Sequence, residues 1–145
     1  MAGKSNALRN EFLRVIFNGE VPAGGVLAEL GVVCSPGPYG NLELSLHTSD
    51  PGPAGTQATN QCAYTGYAPK GVTRTTGAWT VTANVVSPAV DQDFPKCTAG
   101  SESATHVAVT TETGLIVYSG ALTPPITIAN GVIPRIETGS TITET

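Results

Sequence analysis

The chain has 145 residues and a net charge of −4, and only 12% of its residues are charged, half of the roughly 25% typical of soluble domains. Its seven lysines and arginines are scattered along the sequence. A nucleic-acid surface needs clustered basic residues to displace phosphate counterions, so direct binding to DNA or RNA is not expected. A weakly charged surface suits a protein covered by neighbouring subunits, and a merely threonine-rich β domain accounts for the composition equally well.

The sequence indicates neither a membrane segment nor a metal site. No apolar run approaches the ~18 residues that cross a membrane, and charges between Lys4 and Arg14 interrupt the N-terminal region, where a secretory signal needs an apolar core. The cysteines Cys34, Cys62 and Cys97 include no close pair of the kind found in metal sites, and their odd number does not fit a complete disulfide framework. We therefore expect reduced, buried cysteines, cytoplasmic synthesis and no metal or cofactor.

One segment near the N-terminus, SNALRNEFLRVIFNGE, predicts an amphipathic helix. Its apolar stripe follows the i, i+4, i+7, i+8 pattern and consists of Leu8, Phe12, Val15 and Ile16. Ser5 is placed to cap the first amides, and Gly19 to end the helix as a left-handed residue. Because Leu13 and Phe17 widen the apolar side, this helix is expected to pack on the domain or on a partner.

After Gly19 the apolar period changes to two, which is typical of strands. The β-prone runs are 26–33, 41–48, 71–76, 78–83, 105–111, 115–122, 125–130 and 140–144. Turn clusters rich in Gly, Pro, Asn and Asp separate them. About eight short strands with regular turns predict an all-β, antiparallel β-sandwich or barrel with one N-terminal α-helix. No helix lies between the strands, which excludes a parallel α/β sheet.

The predicted domain organisation is simple. Residues 1–19 form an N-terminal helical arm, and residues 20–145 form a single β-sandwich domain that includes a long loop at 47–69. The strand pattern alone does not separate a jelly roll from an immunoglobulin-like sandwich. A connection of about twenty residues exceeds the ~12–15 usual for structureless loops, and such loops tend to have a function.

His47 is the first candidate for catalysis, because Ser45, Ser49 and Asp50 lie close to it in sequence. Residues from one strand end are expected to point in alternating directions rather than toward each other. No G-x-S-x-G nucleophile elbow occurs in the chain. A structural hydrogen bond is the favoured role for His47, and also for His106.

Three further features carry weak signals. Asp91 and Asp93 offer the D-x-D of a calcium loop but lack the later ligands of an EF-hand, so a solvated turn is favoured. No local pair of carboxylates fits the glycosidase arrangement, although distant pairs stay open. Trp79 could stack on a sugar, but a lone strand tryptophan is usually part of the core.

Several motifs together carry a resemblance to a known family. They are SNALRNEFLRVIF, LHTSDPG-x-AGTQAT, YTGYAPKGVTR, GAWTVTANVVSPA, a FP-x-C segment, THVAV, LIVYSGALT, IANGVIPRI and TGSTIT. The chain resembles a widespread family of small virion proteins of tailed bacteriophages, some tail-fibre-like and some acting as capsid cement or decoration proteins. The resemblance covers most of residues 5–17 and 41–143. It implies a jelly-roll-like β-sandwich, made in the bacterial host cytoplasm, that assembles into a particle without enzymatic activity.

The resemblance leads to a first functional hypothesis: a capsid cement protein on the capsid exterior. Such a protein would bridge subunits of the major capsid protein, as a homodimer or trimer, and bury apolar surface across their joints. The candidate contact residues lie in the helix and the long loop: Leu8, Phe12, Val15, Ile16, Pro51, Pro53, Tyr64 and Tyr67. An equally weighted alternative is that the helix only covers the open end of the sandwich.

Two other functional hypotheses stay open. A tail- or fibre-associated protein binding a host surface glycan would expose aromatic rings such as Tyr39, Tyr64 and Tyr67 for sugars to stack on. A small hydrolase, the least favoured, would require His47 within hydrogen-bond reach of both an acid and an exposed hydroxyl.

Overall fold

The computed structural model describes residues 3–32 and 40–145, and the predictions for Cys34 and Tyr39 lie outside these residues. The helices and strands are α1 (Asn6–Asn18), α2 (Val26–Glu29), β1 (Asn41–His47), β2 (Lys70–Thr73), β3 (Trp79–Thr82), β4 (Val85–Pro88), β5 (Gln92–Asp93), β6 (Ser101–Thr111), β7 (Ile116–Ala129), β8 (Arg135–Ile136) and β9 (Ile142–Thr143).

Among the described residues, the strands form three sheets with the orders β2-β1-β6-β7, β3-β4-β9 and β5-β8. The pairings of β1 with β6, β3 with β4, β4 with β9, β5 with β8 and β6 with β7 are all antiparallel. The predicted fold class is confirmed: the chain is mostly β, its sheets are antiparallel, and one long helix precedes them, as expected of an all-β sandwich protein.

The chain clusters into two compact units. The first unit comprises residues 1–40, 73–91 and 137–145, and the second unit comprises residues 41–72 and 92–136. The division into an arm at 1–19 and a single domain at 20–145 stays a prediction.

In the first unit, α1 forms as its caps predict. The Ser5 hydroxyl accepts a hydrogen bond from the Leu8 amide at 3.2 Å, and Gly19 ends the helix in the left-handed region at φ 64°. The Arg74 guanidinium donates from Nε and Nη2 to the last-turn carbonyls of Ile16 and Val15, at 2.7 and 2.6 Å. A cation at this end also complements the helix dipole. The caps are therefore confirmed, and Arg74 adds a tie that the sequence pattern did not indicate.

The buried face of α1 differs from the predicted apolar stripe. Leu13 and Phe17 are fully buried, and the Phe17 ring meets Trp79 edge-to-face with 4.8 Å between centroids. The stripe residues are only half-buried: Leu8, Phe12, Val15 and Ile16. Because helical residues are spaced by about 100°, Phe12 lies about 140° around the helix from Phe17. The helix thus has two apolar faces, and the larger one is not the one that packs into the core.

The predicted strand at 26–33 is wrong, because Val26–Glu29 forms the short helix α2. The β-propensity of this apolar run is overridden by a tertiary contact. Both Glu11 carboxylate oxygens accept hydrogen bonds, from the Val26 and Leu27 amides, each at 2.7 Å. These amides are the unpaired donors of a first helical turn, and a carboxylate satisfies them well. Gly25 permits the close approach, since a Cβ there would lie 2.1 Å from Glu11 Oε1.

Replacing Glu11 with alanine is expected to unfold α2 locally while α1 persists. The variant loses two charge-assisted hydrogen bonds, which corresponds to about 1–3 kcal/mol. Hydrogen exchange should show faster exchange at the amides of residues 26–32, with the β3–β4 hairpin unchanged. Glu29→Ala, an exposed carboxylate on α2 itself, is the matched control. Unchanged protection of residues 26–32 in Glu11→Ala would contradict the assigned role.

The remainder of the first unit is the sheet β3-β4-β9. The prediction at 78–83 is confirmed as β3, whereas β4 was not predicted. Ala83 in the connecting turn takes the left-handed φ of 54°, which is uncommon for a residue with a Cβ and gave no turn signal. Asn84 joins this turn to the C-terminal segment, because its carbonyl accepts from the Glu144 amide at 2.8 Å. Lys4 forms an ion pair with Glu144.

The second unit is built on the sheet β2-β1-β6-β7. β1 and β6 pair from Leu42 opposite Thr111 to His47 opposite His106. The runs predicted at 115–122 and 125–130 are one strand, β7. The β6–β7 register shifts between His106 opposite Ala121 and Ala104 opposite Ile126, so the proline segment is absorbed as a bulge. Proline is tolerated at a bulge on a sheet edge because no ladder donor is required there.

Candidate functional site

The 47–69 loop, the most chemically crowded stretch of the sequence, is fastened to β1 along its length. The Thr48 amide donates to the Asn60 carbonyl and the Cys62 amide to the Leu46 carbonyl, both at 2.8 Å. The Tyr67 hydroxyl accepts from the Leu46 amide at 2.9 Å. The loop is thus an integral part of the second unit. It is held by backbone hydrogen bonds to Leu46 and Thr48, at the end of β1, and by the Tyr67 side chain.

His47 is the most buried polar member of this region. Its side chain is fully buried, with Nε2 2.8 Å from Ser45 Oγ and Nδ1 2.8 Å from the Thr59 carbonyl oxygen. A carbonyl only accepts, so Nδ1 carries the proton and Nε2 accepts from the Ser45 hydroxyl. Burial lowers the pKa of His47 below 6.5, the Thr59 carbonyl opposes this shift, and nearby His106 adds to it. His47 is therefore a neutral cross-link between β1 and the loop.

The expected divergence of neighbouring side chains is wrong for Ser45. Ser45 and His47 are two positions apart, so they lie on the same face of β1 and form a hydrogen bond. The third partner is a backbone carbonyl rather than an acid, and the Ser45 hydroxyl is fully buried. The arrangement lacks the acid and the exposed hydroxyl that the hydrolase hypothesis requires.

The loop tyrosines form an aromatic cluster in the second unit. The Tyr64 ring meets Tyr67 edge-to-face at 5.2 Å between centroids, and Tyr67 stacks on Phe94 at 6.3 Å. The Tyr64 hydroxyl donates to the Pro95 carbonyl at 2.8 Å, and burial raises the pKa of Tyr64 to about 12. The hydroxyl groups of Tyr64 and Tyr67 are therefore both hydrogen-bonded to the backbone of this chain.

Cys62 and Cys97 are buried free thiols, as expected for these two cysteines. Burial raises the pKa of Cys62 to about 12, and the Glu102 carboxylate reinforces the shift. The same carboxylate accepts from the Ala63 amide with both oxygens at 3.0 Å. A thiol of this kind is protonated and inert at neutral pH.

Alkylation of the folded protein at pH 8 is expected to leave Cys62 and Cys97 unmodified. Iodoacetamide reacts with an accessible thiolate. Both cysteines are buried and therefore inaccessible, and the raised pKa of Cys62 also keeps its thiol protonated. Peptide mapping after labelling should show modification at these two positions only when denaturant is present. Rapid modification of either cysteine in native buffer would contradict their burial.

The two carboxylates of the acidic turn at residues 91–93 are also bound by groups of this chain. The Asp91 carboxylate accepts from the Thr138 amide at 2.9 Å, and Asp93 forms a two-point ion pair with Arg135 that lowers the pKa of Asp93. Across residues 3–32 and 40–145, no group of three or more His, Cys, Asp or Glu side chains is placed to hold a metal ion. Within the same residues, no helix has the length and apolarity needed to cross a membrane.

The structure places the predicted contact residues in different surroundings. In the first unit, the α1 stripe is half-buried and is accompanied by apolar side chains that stay exposed after the helix: Val21, Leu30 (70%) and Val32. In the second unit, Pro51 and Tyr64 are buried, Tyr67 is half-buried and Pro53 is exposed. Their role as partner contacts stays a prediction.

Sequence reasoning missed the residues that organise these surfaces. Glu11 and Arg74 act on backbone groups distant in sequence, and no local motif indicates such contacts. The exposed residues Leu30 and Val32 were assigned to a strand that does not form.

In the sites described above, the polar side chains are hydrogen-bonded mainly to this chain's own backbone, and the class of protein comes from a comparison with protein families. The family model described as podophage GP4 fiber I protein gp80 matches residues 32–144. The match covers well over half of the chain, so the chain belongs to this family and is a small structural protein of the tailed-phage virion. The helix α1 lies outside the matched span. No curated protein matches the sequence.

Proposed function

We propose that the chain is a fibre component of a podophage virion and acts by assembly rather than by catalysis. The observation that carries this proposal is the family match over residues 32–144, a family described by its fibre protein. The matched span contains every strand and the 47–69 loop, so the fibre role is assigned to the β portion of the chain.

The attachment role is assigned to α1, outside the matched span. Its buried face is already occupied by Trp79, while Leu8 and Phe12 lie on another side of the helix and are half-buried. A second apolar face of this kind is stabilised when a partner removes it from water, at about 25 cal/mol per Å² of apolar surface. The proposed partner is another protein of the virion.

Capsid cement is the second candidate, with the major capsid protein as partner and the capsid exterior as location. The low charge content of 12% favours it, because a cement protein has most of its surface covered by shell subunits. Multivalency would then convert modest contacts into large stabilisation of the shell.

The two candidates differ in copy number and position. Quantitative gel analysis of purified virions, with the major capsid protein as internal standard, gives the copies per particle. Antibody labelling in electron microscopy gives the location. A few to dozens of copies, with label on fibres, support the fibre role. Hundreds of copies spread over the head would overturn it in favour of cement.

The attachment surface has its own test. Leu8→Ser combined with Phe12→Ser removes the outward apolar face of α1 and leaves Leu13 and Phe17 in the core. Phage carrying the double variant should incorporate at least tenfold less of the chain. The matched control is Asn6→Ser with Ala7→Ser, which changes exposed residues of the same helix. Equal incorporation of both variants would show that the face is not the attachment surface.

A further inference from the structure

A cleft in the first unit lies between α1 and β3 and is lined mainly by polar side chains. Its volume is about 320 Å³, at the lower end of the range found for small-molecule sites. One wall is the polar side of α1, where residues four positions apart share a face, and the other wall comes from β3 and the turn before it. The polar side chains of the lining, besides the indole of Trp79, are Asn10, Arg14, Asn18, Glu20, Thr76 and Thr80.

Two of these residues contain a buried polar atom that has no hydrogen-bond partner among the described residues. They are Nε1 of Trp79, which is a donor, and the side-chain oxygen Oδ1 of Asn18, which is an acceptor. The Trp79 side chain is almost fully buried. Folded proteins rarely leave buried donors and acceptors unpaired, because each such group loses its hydrogen bonds to water without replacement. The two unpaired atoms therefore indicate a ligand that pairs with them in this cleft.

The chemistry of the cleft favours a neutral ligand that carries hydroxyl groups. A hydroxyl both donates and accepts, so it can pair with the Trp79 N–H and with the Asn18 oxygen. A phosphate or carboxylate only accepts and an ammonium group only donates, so each of these would leave one of the two atoms unpaired. The charges of the lining also cancel, because Arg14 and Glu20 form an ion pair at 2.8 Å.

We propose that this cleft binds a neutral sugar residue, whose hydroxyl groups accept from Trp79 Nε1 and donate to Asn18 Oδ1. The Trp79 ring packs against Phe17 in the core, so its N–H group rather than its ring face contacts the ligand. Neither unpaired atom is accessible to solvent in the free chain, so the half-buried Asn18 side chain must turn when the ligand enters. The site does not include Leu8 or Phe12, and it adds a binding activity to the structural role proposed above.

The single tryptophan makes this site directly observable, because Trp79 gives the one indole N–H resonance in a nuclear magnetic resonance spectrum of the full chain. The probes are glucose, galactose, mannose and N-acetylglucosamine, each as the free sugar and as the methyl glycoside. At least one of them should shift this resonance saturably, with a dissociation constant of about 1–10 mM. Binding of the methyl glycoside as well as the free sugar would assign the site to the end residue of a longer glycan, and binding of the free sugar alone to a monosaccharide.

Asn18→Ala removes the unpaired acceptor and should weaken sugar binding at least tenfold. The same substitution should not lower the stability of the free chain, since it deletes a buried group that has no partner. An amide with a purely structural role would show the opposite pattern, with lost stability and unchanged binding. Asn6→Ala is the matched control, because it removes an exposed amide of the same helix outside the cleft and should leave binding unchanged.

Four outcomes would overturn the proposal. The absence of a saturable shift with every sugar would mean that the two atoms meet an adventitious water only. An equal shift with glycerol would indicate general solvation, and a shift with inorganic phosphate but with no sugar would assign the cleft to an anion. Undiminished binding in Asn18→Ala would place the sugar elsewhere. All of these measurements use the isolated protein, so they leave the fibre role to the copy number and labelling of virions.

Discussion

Phe17→Ala is expected to destabilise the first unit by about 3–5 kcal/mol, the usual cost of truncating a fully buried phenylalanine. Phe17 is 0% exposed, and its ring edge meets Trp79 at 4.8 Å between centroids. Truncation leaves a cavity lined by Leu13 and Trp79 and removes an aromatic pair worth about 0.5–1.5 kcal/mol beyond area burial. Chemical denaturation followed by Trp79 fluorescence measures the loss directly, because Trp79 is the single tryptophan of the chain.

Phe12→Ala on the same helix is the matched comparison, since it makes the identical chemical change on the other apolar face. Phe12 is half-exposed, with the Lys4 ammonium 5.9 Å from its ring centroid. Its truncation should lower the free energy of unfolding by about 1 kcal/mol or less. Equal effects of the two substitutions would mean that α1 does not pack by its Leu13–Phe17 face. The comparison therefore tests which face belongs to the core and which is left for a partner.

The helix illustrates what the sequence pattern could and could not predict. Ser5 and Gly19 are local signals, because a cap needs only neighbouring amides and a permissive φ, and both caps are confirmed. The choice of buried face depends on Trp79, which is more than sixty positions away along the chain. Both faces of α1 are apolar, so periodicity alone selected the larger one.

The strands, like the helix, were predicted where local sequence signals decide the structure and missed where a distant contact decides it. Clear alternation of apolar residues at 41–48 and 78–83 predicted β1 and β3 well. The pattern did not indicate that Ser45 and His47, on the other face of β1, are buried as well. The β-prone run at 26–33 does not form a strand: Val26–Glu29 is the helix α2, since Glu11 supplies the amide partners of a helical turn. The prolines of β7 were taken as the end of a strand, whereas a bulge accommodates them on an edge.

The candidate site was only partly accessible to sequence reasoning. His47 was assigned a structural hydrogen bond, and both of its ring nitrogens have partners. Its partners are the Ser45 hydroxyl and the Thr59 carbonyl. The second of these contacts depends on how the loop folds back onto β1. No residue spacing encodes that path, because it is fixed by backbone pairs such as Thr48 with Asn60.

His47→Ala is expected to cost about 2–4 kcal/mol in the second unit. The substitution removes a fully buried side chain and leaves the Ser45 hydroxyl and the Thr59 carbonyl without their partner. The 47–69 loop should lose its attachment at Thr59, seen as faster hydrogen exchange at residues 56–62. His106→Ala provides a control on the facing strand, since His106 is only half-buried and its ring bonds the hydroxyl of its neighbour Thr105. Equal loss of protection in both variants would contradict a specific role for His47.

The same histidine predicts a pH dependence with a definite sign. Burial lowers the pKa of His47 below its unfolded value of 6.5, so at pH below 6.5 the unfolded chain binds a proton that the folded chain does not. Stability is therefore complete above pH 6.5 and falls as the pH is lowered, by at most about 1.4 kcal/mol per pH unit for one proton. Denaturation midpoints between pH 7.5 and 5 should show this slope in the wild type and lose it in His47→Gln, because the amide bonds similarly but does not titrate. The Asp93–Arg135 pair does not interfere: because the pKa of Asp93 is lowered from 3.8, its stabilising contribution is present throughout this pH range and is lost only in stronger acid. A slope that survives in His47→Gln would assign the pH dependence to another group and leave His47 as a cross-link without a titration of its own.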